Sequence, residues 1–110
     1  MKTYWIGRQP EVDIVLEMES ISNLHAELVV TDDGEYFLTD CGSTNGTFRR
    51  KEGQWQRFRQ AFITPDEPLR LGSLETTARK LLAKLGRTQG RHDVATYYHR
   101  NPATGNFERK

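Results

Sequence analysis

A single cysteine, Cys41, stands in the whole chain, so neither an internal disulfide nor a cysteine-based zinc framework can form. No stretch approaches the ~18 consecutive apolar residues that a membrane-spanning helix needs. Met1 to Ile6 lack an apolar signal core and run straight into a β-rich segment. These absences make the cytoplasm the expected compartment. A phosphate-cradling Gly-x-x-x-x-Gly-Lys loop is also missing. His25, His92 and His99 have no ligand spacing with a carboxylate or cysteine, and no serine lies in a familiar nucleophile motif. The expectation is therefore a protein that is not an enzyme and needs no cofactor or metal.

What is present fits one domain with an appendage. The chain has 110 residues, 35% of them apolar, and a mean hydropathy of −0.75. That is enough for a modest core, with some segment left to solvent or a partner. The net charge of +1 hides a split. Residues 1–78 carry 8 Lys/Arg against 13 Asp/Glu, a balance of −5, whereas residues 79–110 carry 8 against 2, a balance of +6. A basic tail on an acidic module is the simplest reading.

Short β-rich segments recur every eight to twelve residues, separated by turn residues, which predicts an all-β sandwich. Strands are expected at 3–6, within 12–16, at 25–31, 35–40, 47–50, 54–58, 60–63 and 69–71. Ala26, Leu28 and Val30 share a face by period two. Asp32-Asp33-Gly34 is a hairpin turn, and Asn45-Gly46 suits another between 36–40 and a strand starting near Thr47. Trp5, Trp55, Phe58 and Phe62 are expected in the core. From Leu74 the apolar residues Leu74, Ala78, Leu81, Leu82 and Leu85 recur at helical spacing, with Ser73 as N-cap and Gly86 at the C-terminal end. The expected division is 1–73 sandwich, 74–86 closing strand or helix, and 87–110 basic tail, extended or docked, with a turn at Asn101 to Gly105.

The segment Asp40-Cys41-Gly42-Ser43-Thr44-Asn45-Gly46-Thr47-Phe48 follows an apolar run and is crowded with short hydrogen-bonding side chains. Such a segment displays groups on a turn. Gly7-Arg8 ends the first strand, and Ser22-Asn23-Leu24-His25 leads into the strand at 26–30. Taken alone, Arg8 reads first as a surface cation paired with Glu11 or Asp13. Ser22 and Asn23 read equally as turn caps, and His25 as a half-buried tie between loops. The run Arg49-Arg50-Lys51 reads as a solvated loop tip or as a reader of acidic residues.

Taken together, Gly7-Arg8, Ser22-x-x-His25 and Ser43-Thr44-Asn45-Gly46-Thr47 resemble the forkhead-associated (FHA) domain over roughly residues 4–72. The resemblance implies a β-sandwich whose loops bind a phosphothreonine peptide at one end, and a signalling adaptor downstream of a Ser/Thr kinase. It implies that Arg8, Ser22, Asn23, Ser43, Thr44 and Asn45 contact the phosphopeptide, while Gly7, His25, Asp40 and Gly46 support the site. It also implies a closing strand near 74–77. Asn23 stands where many members carry a basic residue, so the phosphate leans more on Arg8. Members usually have one or two strands before the Gly-Arg strand. The sheet edge here is therefore expected to be covered by the tail or by a second copy, through tail-mediated self-association or a homodimer. Tail phosphorylation at Thr88, Thr96 or Thr104, with docking into the same loops, is a further expectation. The expected partner is a phosphothreonine-containing protein and no membrane. A nucleic-acid or acidic-surface role for the tail is the second reading, disfavoured because only Tyr97, Tyr98 and Phe107 could stack bases.

Overall fold

The computed structural model describes residues 1–87, 98–100 and 107–109. Two sheets form the sandwich. The first contains β1 (Lys2–Gly7), β2 (Ile14–Val15), β3 (Ala26–Val30), β4 (Tyr36–Asp40) and β7 (Gln60–Ile63), in the order β2-β1-β3-β4-β7. The second contains β5 (Thr47–Lys51), β6 (Gln54–Arg57), β8 (Leu69–Leu71) and β9 (Leu74–Thr76), in the order β6-β5-β8-β9. Helix α1 (Ala78–Arg87) follows, and β10 (Tyr98–Arg100) pairs with β11 (Phe107–Arg109).

The period-two pattern becomes burial. Ala26 and Leu28 of β3 and Leu38 of β4 are fully buried and face Leu69 and Leu71 of the second sheet within one core, joined by Ile6, Ile14, Leu16, Ile21 and Ile63. Ala78 and Leu81 of α1 complete that core. Burying this many aliphatic side chains, at about 1.5–3 kcal/mol each relative to exposure, is the main force closing the sandwich.

Five expectations are corrected. Asn45-Gly46 is not a hairpin turn, because β4 and β5 belong to different sheets. Residues 41–46 instead carry the chain from one sheet to the other, and only Gly42 and Gly46 there adopt positive φ. Phe62 is 57% exposed, since its alternation partner Ile63 takes the inner face; it packs edge-to-face on Phe37 at 4.8 Å. Trp55 lies on the outer side of the second sheet, half-buried beneath arginines. Ser73 does not cap the helix: β9 intervenes, and Thr77 Oγ1 accepts the Lys80 N–H at 3.1 Å, as an N-cap does. The helix also continues through Gly86.

The edge of β1 is partly closed from within. β2 pairs with it in parallel at Ile6↔Ile14 and Gly7↔Val15, and the Trp5 N–H donates to the Asp13 carboxylate at 2.7 Å. The turn expected at Asn101 to Gly105 and the threonines Thr88, Thr96 and Thr104 lie outside the described residues. So does most of the tail expected to dock.

Candidate functional site

Three segments meet at one end of the sandwich: 7–9 after β1, 20–25 before β3, and 41–46 between the sheets. Gly7 is what lets the first two touch. A Cβ there would lie 2.0 Å from the Asn23 carbonyl oxygen, so any side chain forces the backbones apart. The Arg8 N–H then donates to the Ser22 carbonyl at 3.0 Å and the Gln9 N–H to that of Asn23 at 3.3 Å.

His25 joins the second and third segments. It is fully buried. Its Nδ1 accepts the Ser22 N–H at 3.1 Å, and its Nε2 lies 3.0 Å from the Gly46 carbonyl oxygen. Both contacts are satisfied by a neutral ring protonated on Nε2. Burial pushes its pKa below the ordinary value, against the opposing pull of the Gly46 carbonyl and the Asp40 charge.

Asp40 organises the third segment. Its Oδ2 accepts the N–H groups of Gly42 and Ser43, each at 3.0 Å. Its Oδ1 accepts the hydroxyls of Ser43 and Thr47, the latter at 2.7 Å. Burial works to raise its pKa, but these donors outweigh it and hold the carboxyl below its usual value. The Gly46 N–H in turn donates to Ser43 Oγ at 3.0 Å. Gly46, at φ +92°, has no room for a Cβ, which would meet the Arg57 Nε and the Phe48 ring.

This network separates the expected ligand residues into two groups. Ser43 is only 5% exposed and its hydroxyl is spent on Asp40 and Gly46, so it shapes the loop instead of presenting a free group. Arg8, Asn23, Thr44 and Asn45 are exposed, and Ser22 is half-buried. Ser22 Oγ accepts the Thr44 N–H at 3.1 Å, which leaves its own proton available. Asn45 Nδ2 donates to the Ser20 carbonyl at 2.9 Å, which orients its amide oxygen. Among the described residues the Arg8 guanidinium forms no ion pair; neither Glu11 nor Asp13 neutralises it. Asn23 and Thr44 side chains likewise keep their hydrogen-bonding capacity open.

Sequence reading missed several supports. Ser20 holds Asn45 through its carbonyl and accepts the Ser73 N–H at 3.0 Å through its hydroxyl. The Gly72 N–H donates to the Gly46 carbonyl at 2.9 Å. Arg57 Nη2 donates to the Ser43 carbonyl at 3.3 Å. These contacts come from Ser20 ahead of β3, from β6 and from the β8–β9 turn, and no local motif marks them. The buried Thr47 hydroxyl was legible only as a β-branched residue returning to the core.

The comparisons agree with the geometry. The family model for the FHA domain matches residues 4–73. The oxoglutarate dehydrogenase inhibitor of Corynebacterium efficiens is 41% identical over 61 residues, 56% of this chain. The chain spans only 40% of that relative's length. Among solved structures, the FHA domain of the CT664 protein from Chlamydia trachomatis aligns with a TM-score of 0.59 and 33% identity, covering 67% of this chain and 72% of that one. An FHA domain from a structural and functional study of phosphothreonine-dependent FHA interactions aligns with a TM-score of 0.60 and 25% identity, covering 68% and 73%. With its loops, its buried histidine and its sandwich all accounted for, the chain belongs to the FHA domain family.

Proposed function

We propose that the rim formed by Arg8, Ser22, Asn23, Thr44 and Asn45 binds a phosphothreonine peptide, and that the chain is a non-catalytic adaptor in Ser/Thr kinase signalling. The carrying observation is an exposed guanidinium that has no carboxylate partner among the described residues, tied by the Arg8 N–H to the segment that also holds Thr44. A phosphothreonine brings roughly −1.5 to −2 charges and three acceptor oxygens. Arg8 can take two of them with parallel bonds, and the Ser22 and Thr44 hydroxyls supply further donors. The Asn45 amide oxygen, aimed by its bond to Ser20, accepts a peptide N–H beside the phosphoresidue.

Ser43, Asp40, His25, Gly7 and Gly46 hold this rim in shape. The solved relative described through phosphothreonine-dependent interactions supports the ligand class. In this reading the module works in the cytoplasm, where Cys41 stays a free thiol.

The test is capture from an oriented phosphothreonine peptide library, with the dephosphorylated library as control. Enrichment of a sequence only in its phosphorylated form supports the reading; equal capture of both libraries refutes it.

A further inference from the structure

The run Arg49-Arg50-Lys51 splits across β5, because successive side chains of a strand point to opposite faces. Arg49 turns to Glu67, meeting it through Nε at 3.1 Å and Nη2 at 3.0 Å. Arg50 goes to the other face. Cross-strand partners share a face, and the register pairs Arg50 with Trp55, Phe48 with both Arg57 and Arg70, and Arg70 with Glu75. The outer face of the second sheet thus carries three arginines, two aromatic rings and one glutamate.

Four of these groups, Arg50, Trp55, Arg70 and Phe48, form a stacked column. Arg70 Cζ lies 4.2 Å from the Phe48 ring centroid and 5.5 Å from that of Trp55, and Arg50 Cζ lies 5.3 Å from Trp55. Stacking fixes the guanidinium planes without consuming their N–H edges. Arg70 Nε is buried and has no acceptor among the described residues, while the guanidinium lies against two rings. Among the described residues, Arg49 and Arg79 have ion-pair partners, whereas Arg50, Arg57 and Arg70 have none. Three unneutralised cations on one face are notable in a module whose first 78 residues carry a balance of −5.

The column is continuous with the rim. Arg57 donates to the Ser43 carbonyl and sits against Gly46. From Gly46 to Arg50 is four residues of chain, about 13 Å at ~3.3 Å per residue. We propose that this face docks an acidic stretch of the phosphoprotein itself, Asp and Glu residues four to six positions from the phosphothreonine held at the rim. The proposal rests on the phosphopeptide reading of that rim. Nucleic acid fits less well: the rings are covered by guanidiniums and offer no open stacking platform, and the cations are few for a phosphate backbone.

The experiment compares fluorescently labelled phosphothreonine peptides whose core comes from the library. One bears a Glu/Asp flank on the N-terminal side, one on the C-terminal side and one a Gln/Asn flank. One of the acid-flanked peptides is expected to bind about tenfold tighter than the neutral one, the sum of several modest surface ion pairs. Raising the salt should shrink that gain. Arg50→Gln, an exposed site, should remove most of the gain while leaving the neutral-flanked peptide unchanged, and Arg50→Lys should keep much of it. Equal affinity for all three phosphopeptides overturns the docking face and leaves the rim standing. Binding that ignores phosphorylation overturns both. An oligonucleotide that displaces the acid-flanked peptide in wild type but not in Arg50→Gln also overturns the proposal, because the face then belongs to a different ligand.

Discussion

His25 Nε2 lies 3.0 Å from the Gly46 carbonyl oxygen, and through that contact a buried ring couples two loops 21 residues apart. The same ring accepts the Ser22 N–H. Protonating Nδ1 would turn that acceptor into a second donor facing the Ser22 N–H. The folded-state pKa is depressed below the ordinary 6.5, so the unfolded chain takes up the proton first. The contribution of neutral His25 is therefore full above pH 6.5 and is lost as the pH falls below it. Thermal unfolding followed from pH 7.5 to 5 should show declining stability, and His25→Gln should be less stable at pH 7.5 with a flatter profile. The loss at pH 7.5 is expected to be about 1–3 kcal/mol for orphaned buried partners.

Gly7→Ala is expected to disrupt the rim more than its size suggests. The added methyl would meet backbone, the Asn23 carbonyl, which cannot swing aside as a side chain can. Shifts in amide resonances should concentrate at residues 7–9 and 22–25, and phosphopeptide binding should fall at least tenfold, a loss worth about 1.4 kcal/mol. A variant that binds as wild type would show that the two segments need not touch.

Glu67 ties β5 to the β7–β8 connection. Its carboxylate takes two nitrogens of Arg49 and the Thr64 N–H at 2.8 Å, and both ionic side chains are largely shielded from solvent, at 28% and 17% exposure. Removing one member leaves the other charge half-buried and unpaired. Glu67→Ala should cost roughly 1–3 kcal/mol in denaturant unfolding, with phosphopeptide affinity unaltered because the pair lies outside the rim.

Cys41 should react slowly for a surface-loop thiol. Burial, with the Glu27 and Asp40 charges adding to it, pushes its pKa up to about 11. The thiolate is the nucleophile, so alkylation at pH 8 should run well below the rate of the denatured chain. Equal rates in the folded and denatured states would contradict the burial assigned to it.

Much of this was legible in the sequence because period-two alternation is local. Leu28 and Leu38 announce the inner face of β3 and β4, and the Ser22-x-x-His25 spacing places Nδ1 within reach of the Ser22 N–H. Long-range pairings were not legible. Asn45-Gly46 has the chemistry of a hairpin, yet the register Thr47↔Leu71 commits β5 to the other sheet. The expected binding role of Ser43 rested on its hydroxyl, and only the fold reveals that Asp40 and Gly46 occupy it. Phe62 and Trp55 read as core because aromatic residues usually are, whereas their strands turn them outward.

The central claim concerns Arg8, and calorimetry on Arg8→Ala with the library-selected phosphothreonine peptide tests it most directly. Removing the guanidinium is expected to weaken binding at least thirtyfold, as loss of a charge-assisted partner does, with unfolding temperature unchanged because Arg8 is exposed. Dephosphorylating the peptide should abolish wild-type binding to the same degree or more. Wild-type affinity in Arg8→Ala, with the phosphate still required, would contradict the account: the phosphate would then be held by other groups.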